Sequence, residues 1–215
     1  MPAPMSDPTP TPPSAETNPW TVLSRDLRYE TPWLRVFHHE VLRPDGRPGI
    51  FGTVEFTTVA VGVLPVAANG DTWLVGQWRF GAGRYSWEMV EGGIPLTGPK
   101  AVGPLAGAAE ELREEAGLRA GRWLEIQRMD MSNSVGNEHA HLYLAWDLTE
   151  VPVAPDGTEQ LTIRRLPLRA ALEMALSGEI RDAMTIAALL RVRLMHLDGT
   201  LPPDLAPLVA AGFAA

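Results

Sequence analysis

A chain of 215 residues, 45% of them apolar, is long enough to bury a sizeable core as one domain. Its 18 basic against 26 acidic residues give a net charge of -8 and a pI near 5.1, which argues against a general nucleic-acid or membrane-surface role; a phosphate-bearing ligand has to be held by a local arrangement or by metal ions. Cysteine is absent, which removes disulfides and thiol chemistry, and no apolar run approaches the roughly 18 residues that span a bilayer, so a cytoplasmic protein without nucleic-acid or membrane partners is expected.

The opening "MPAPMSDPTPTPPSAETNP" holds seven prolines in nineteen residues and almost nothing to bury, which predicts a disordered tail over residues 1–19. Residues 20–58 read as an N-terminal strand region, with "WLRVFHHEVL" and the β-branched run "GTVEFTTVAVGVLPV" on either side of a turn at "RPDGRPG". The Asn-Gly turn in "AANGD", leading into "TWLVGQWRF", predicts a hairpin from Thr53 to Phe80. The passage "EGGIPLTGPKAVGPLAG" is too rich in glycine and proline to be regular throughout. A helix is expected to start near Pro104, since proline suits a first turn, and to stop at Gly117, suited to a left-handed cap. Beyond it "RWLEIQRMDMS" and "HAHLYLAWDL" predict strands around the polar loop "NSVGNE". "TIRRLPL" predicts a short strand, and "RAALEMALSGEI" and "RDAMTIAALLRVRLMHL" predict helices that meet at Gly178. A domain over residues 59–197 and a C-terminal tail over 198–215 complete the division. The order of elements is that of an α+β or layered α/β/α fold.

The helix raises a problem of charge. In "AAEELREEAGL" Glu110, Glu111, Glu114 and Glu115 fall at roughly 0°, 100°, 40° and 140° around the helix axis, and carboxylates near a helix C-terminus are further disfavoured by its dipole. A solvated face would mix in basic residues three and four positions away, whereas here only Arg113 is present, on the flank. A divalent cation is the natural counter-charge, and oxygen-only donors suit Mg2+ or Mn2+. Such ions accompany phosphate-containing substrates and activate water. A glycine-rich loop ahead of the helix lets backbone approach a bulky anion.

These residues resemble the Nudix box, G-x5-E-x7-R-E-U-x-E-E-x-G-U, where U is bulky and apolar. Its second half matches as "EELREEAGL", with Glu111, Leu112, Glu114, Glu115, Gly117 and Leu118 in register, and its first glycine is best placed at Gly92 in "WEMVEGG", with about four extra residues in the loop near "TGPK". Two positions depart. The arginine before the first helix glutamate is Glu110, and the loop glutamate falls at Val102. Glu110 either joins the metal site or leaves the missing positive charge to a distant arginine such as Arg79 or Arg84.

The resemblance runs from about Trp33 to Leu197 and is to the ADP-ribose pyrophosphatase and nucleoside-diphosphate-sugar hydrolase subfamily. It implies a Nudix α/β/α sandwich whose mixed sheet is flanked by helices. It implies Mg2+, with Mn2+ as a substitute, held by Glu111, Glu114 and Glu115. Catalysis would fall to Glu111, Glu115 and Glu138, with Glu138 of "SNSVGNEHAHL" or one of the helix glutamates activating water. Arg79 of "VGQWRF", Glu88 of "SWEMV", Gly92 and Gly93 would contact the substrate, a nucleoside diphosphate sugar. The resemblance further implies a homodimer in which an N-terminal strand reaches the neighbour. The departures at Val102 and Glu110 motivate a second reading, a binding or sensor domain that no longer hydrolyses its ligand. A hydrolase of nucleoside triphosphates or dinucleoside polyphosphates is a third. His139 and His141 alternate along a strand and are expected to pack rather than pair on a metal. Of Trp78, Phe80 and Trp87, at least two are expected to fill the core.

Overall fold

The computed structural model describes residues 17–152 and 160–215; the tail expected over residues 1–19 therefore lies, for residues 1–16, outside the described residues. Strands β1 (Thr21–Glu30), β2 (Leu34–Leu42) and β3 (Pro48–Phe56) form an antiparallel meander, with the predicted turn between β2 and β3. A four-stranded sheet follows the order β7 (Val90–Pro95), β4 (Thr58–Pro65), β9 (His139–Glu150), β8 (Leu118–Asp130), parallel between β4 and β9 and antiparallel elsewhere. A three-stranded antiparallel sheet orders β10 (Thr162–Pro167), β5 (Asp71–Arg79) and β6 (Arg84–Glu88). Four helices complete the described chain: α1 (Pro104–Ala116), α2 (Leu168–Ser177), α3 (Ala183–Leu197) and α4 (Ala206–Ala214).

The period-two pattern of β4 builds two cores from one strand. Val59, Val61 and Val63 face Ala108, Leu112 and Ala116, the buried stripe of α1, together with Tyr143 of β9. Leu64 faces the other way, with Leu142, Leu144, Met184 and Leu189 beneath α2, α3 and α4. Burying one leucine such as Leu112 contributes about 1.5–3 kcal/mol, so α1 is held chiefly by this stripe. The helix ends as predicted, Gly117 adopting φ 63 and donating its N–H to Arg113 and Leu112 carbonyls.

The hairpin expected over residues 53–80 is not formed. The Asn-Gly turn itself exists, with Gly70 N–H donating to Ala67 O at 2.9 Å, but the strands on either side enter different sheets. Val66 N–H donates to Ala145 O at 2.8 Å, prolonging the pairing of β4 with β9. With β7 on its other edge, β4 has no edge left for β5. The residues assigned to a C-terminal tail contain α4, whose Val209 and Phe213 lie in the same buried cluster as α2 and α3. No described helix is long and apolar enough to cross a membrane.

Candidate active site

Alternation within the β5–β6 hairpin sorts its side chains into two faces. Gln77, Arg79, Arg84, Ser86 and Glu88 share one face by register, with Arg79 directly opposite Arg84 and Gln77 opposite Ser86. Arg79, Arg84, Ser86 and Glu88 line a cleft of about 610 Å³, together with Glu91, Gly92 and Gly93 of β7, Glu111 of α1, Glu138 of the β8–β9 loop, and Arg181 and Asp182 before α3. Trp78 and Tyr85 occupy the opposite face. Trp78 and Phe80 are 63% and 94% exposed, so the expectation that two of the three aromatics fill the core fails for them; Trp87 alone packs against it.

The four glutamates of α1 divide between its flanks. Arg113 Nη2 lies 2.6 Å from Glu110 Oε1 and 2.8 Å from Glu114 Oε1, and its hydrogen bond holds the Glu110 carboxyl below its usual range. Glu110 and Glu114 thus share a counter-charge on the outer flank, and neither lines the cleft. Glu111 and Glu115 turn toward β7. Glu115, only 4% exposed, accepts the Glu91 N–H at Oε2, 3.2 Å away. Glu111 lies over Gly92, where a Cβ would come within 2.5 Å of Glu111 Cγ and closer still to Cδ and Oε1. The absence of a Cβ at Gly92 therefore leaves room for the close approach of a carboxylate.

Arg79 donates from Nε and Nη2 to Glu88 Oε2 at 2.9 and 2.6 Å, and its Nη2 stands 4.0 Å from Glu91 Oε2. Burial alone would lower its pKa, but the bond and charge of Glu88, with the charges of Glu91 and Glu115, hold it above its ordinary value. Arg79, from β5, thus stands as a positive charge among Glu88, Glu91 and Glu115. Val102, at the position of the family's loop glutamate, is exposed and outside the cleft lining.

Glu138 is placed by its loop. Val54 N–H donates to Val135 O at 2.8 Å, Phe56 N–H to Asn137 Oδ1 at 2.7 Å, and Met131 N–H to the Glu138 carbonyl at 3.0 Å, so β3 and β8 both fix the segment. Partial burial raises its carboxyl above the usual range, as suits a group that takes up a proton. His141 Nδ1 lies 2.8 Å from Glu125 Oε1 and its ring stacks on Tyr143, with His139 edge-on; these histidines pack and hydrogen-bond, as expected.

Glu91, Arg181, Asp182 and Thr185 were not singled out in the sequence. Glu91 adjoins Gly92 and stands three residues after Glu88, a second acid that the glycine motif itself offered. Its carboxyl is driven well above the usual range by burial, then by Asp182 and Glu88. Nothing in "RDAMTIA", about ninety residues downstream, marked it as the cleft's second wall.

The donors fit a divalent cation by chemistry. The cleft's acids offer oxygen alone and outnumber its arginines. As the side chains stand, no three histidine or acidic residues among the described residues are gathered in metal-ligating geometry.

A model of the nucleoside diphosphate sugar hydrolase N-terminal domain matches residues 20–54, the β1–β3 meander. An ADP-ribose pyrophosphatase of Mycobacterium tuberculosis is 34% identical over 135 residues, 62% of this chain and 64% of that protein. Over that span the chain is similar to an ADP-ribose pyrophosphatase. A GDP-mannose pyrophosphatase of Salmonella arizonae is 33% identical over 93 residues, 42% of this chain and 49% of that protein. The match thus spans less than two thirds of each of these curated relatives. A solved structure of an ADP compounds hydrolase superposes with a TM-score of 0.73 at 20% identity, covering 85% of this chain and 97% of that one, which establishes the Nudix α/β/α fold.

Proposed function

We propose that this chain is a metal-dependent pyrophosphohydrolase of the Nudix type that acts on nucleoside diphosphates linked to a second moiety, with ADP-ribose or a related nucleotide sugar as substrate. The observation that carries the reading is the pair Glu111 and Glu115, turned from Arg113 and set against Gly92 and Glu91, beside a cleft that also holds Glu138. Similarity to an ADP-ribose and a GDP-mannose pyrophosphatase supports the substrate class. Glu111 and Glu115 would hold Mg2+ or Mn2+, with Glu114 joining only by leaving Arg113. When bound, the cation supplies charge for the bridging phosphates and acidifies a water.

Glu138 takes the proton of the attacking water. The water oxygen bonds to one phosphorus, the bridging P–O bond breaks, and ADP-ribose gives AMP and ribose 5-phosphate. Arg79 is committed to Glu88, whereas Arg84 and Arg181 line the cleft and form no ion pair with any described residue; their forks of donors suit the substrate's phosphates. We place the enzyme in the cytoplasm, in keeping with a chain that contains no cysteine. We pair it with a second copy through the β1–β3 meander, which exposes Leu23, Leu27, Tyr29 and Trp33; light scattering at working concentration tests this, and a clean monomer would refute it.

The test is release of nucleoside monophosphate from a panel of ADP-ribose, ADP-glucose, GDP-mannose, diadenosine polyphosphate and deoxynucleoside triphosphates, with Mg2+ and with Mn2+. Metal-dependent cleavage of one diphosphate sugar, abolished in folded Glu115→Gln, is expected; a fully active Glu115→Gln would sink the assignment. The binding or sensor reading draws on the ungathered carboxylates and on Val102 and Glu110. It predicts tight calorimetric binding of ADP-ribose with no product at any Mg2+ level.

A further inference from the structure

Thr185 is fully buried, three residues after the N-cap Asp182 of α3, and its hydroxyl points out of the helix into the corner between β6 and β7. There Oγ1 accepts the Met89 N–H at 2.9 Å and donates to Glu91 Oε1 at 3.2 Å. Its own N–H donates to the Asp182 carboxylate at 2.7 Å. One hydroxyl thus meets the backbone donor of Met89, between β6 and β7, and a buried acid while the residue's backbone completes a helix cap, which uses the hydroxyl's single donor and one of its lone pairs. The residue so tied, Glu91, is the one whose N–H donates to Glu115 Oε2 at 3.2 Å, and the next residue, Gly92, is the floor beneath Glu111.

We infer that Thr185 is a positioning residue, clamping the start of α3 to the β6–β7 corner and thereby fixing the backbone against which Glu111 and Glu115 are set. The chain of contacts runs from Asp182 through Thr185 to Met89 and Glu91, and from Glu91 and Gly92 to the two carboxylates. It joins both walls of the cleft, since Asp182 and Met184 line one and Glu91 and Gly92 the other. Thr185 touches no substrate atom. Removing its hydroxyl strands a backbone donor and an acid in a buried corner, and the corner can recover partners only by shifting, which carries the Glu91 N–H and the Gly92 floor with it. The affected quantities are those that depend on the carboxylates, metal affinity and turnover, and not ground-state binding of the sugar half. This consequence rests on the proposed function; the clamp does not.

The experiment compares Thr185→Val, which keeps the shape, with Thr185→Ser, which keeps the hydroxyl, in the full chain. Mn2+ affinity is read by electron paramagnetic resonance, kcat and KM on the hydrolysed diphosphate sugar, and amide exchange at Met89 and Glu91. Expected for Thr185→Val are Mn2+ binding weakened about tenfold, as for other residues that orient metal ligands, a lower kcat with unchanged KM, and faster exchange at both amides, all restored in Thr185→Ser. Wild-type Mn2+ affinity and exchange in folded Thr185→Val would overturn the inference, as would a Thr185→Ser protein no better than Thr185→Val. If the wild type binds no Mn2+, the metal reading fails and exchange alone decides: faster in Thr185→Val but not in Thr185→Ser supports the clamp, and unchanged exchange refutes it. Thr185→Ala removes the same hydroxyl and serves where the valine protein does not fold.

Discussion

Gly92 offers a perturbation that separates the fold from the chemistry. A Cβ there would lie within 2.5 Å of Glu111 Cγ and nearer to the carboxylate, yet what it strikes is the end of a flexible side chain and no backbone. In Gly92→Ala the glutamate must swing away, at about 0.5–1.5 kcal/mol for an unfavourable side-chain torsion. Replacing a strand glycine returns about 0.5–1 kcal/mol of chain entropy. The two nearly cancel, so the melting temperature should stay within about 4 °C of wild type for a chain of this size. Turnover should not survive so well, because displacing a reacting group by about 1 Å costs on the order of 100-fold, about 2.7 kcal/mol on the barrier. Gly93→Ala is a control for folding alone, since Gly93 also lines the cleft but its Cβ would first meet the Thr58 side chain, at 3.5–3.8 Å, an ordinary contact. Differential scanning calorimetry and chromatographic assay of nucleoside monophosphate read both quantities. A folded Gly92→Ala enzyme within about threefold of wild-type turnover would refute the placing of Glu111 at the reaction.

Other substitutions probe the division of charge. Arg113→Ala should lower the melting temperature slightly and leave turnover unchanged, because Arg113 serves the outer-flank pair Glu110 and Glu114; a large loss of activity would place that flank in the site. Arg84→Ala should raise KM for the diphosphate sugar roughly tenfold with kcat little altered, the mark of binding shared by ground and transition states. Glu125 is held down to about 2, first by its hydrogen bond from Arg128 and then by His141. Its contribution to stability is therefore present above the unfolded value near 4.5 and lost as pH falls toward 2. The difference in urea midpoint between wild type and Glu125→Gln should be open at pH 6 and close across that window; a gap that persists at pH 2 would contradict the pairing.

Periodicity and caps made α1 legible, from Pro104 to Gly117, because those signals are local. The strands of β8, β9 and β10 were legible for the same reason. The hairpin over residues 53–80 was misread because an Asn-Gly turn specifies a reversal of the chain and not which edge its strands will pair with. Only the partners of β4, found about thirty and eighty residues downstream, settle that. The buried role of α4 was hidden because a short apolar helix with no polar face carries little periodic signal. Within the site, Glu111, Glu138 and Gly92 were legible from spacing within one motif or by resemblance, whereas Asp182 and Thr185 reach the cleft through tertiary packing alone.

The crowded acids of α1 resolve into two pairs. Four carboxylates around one arginine read as a single unbalanced cluster, but the 3.6-residue repeat separates them. Glu110 and Glu114 fall on the side that Arg113 can reach, and Glu111 and Glu115 on the side that meets β7. An arginine in place of Glu110 would lie on that same outer side, and this chain has Arg79 among the inner acids instead. That substitution has a consequence for recognition. An arginine bound at Nε and Nη2 by Glu88 has fewer donors left for phosphate, so on the proposed function the anionic part of a substrate would be drawn toward Arg84, directly across the hairpin, and Arg181 on the facing wall. Like charges set opposite on paired strands are unfavourable, and Glu88 offsets only one member of the Arg79 and Arg84 pair. An anion bound at Arg84 would offset the other.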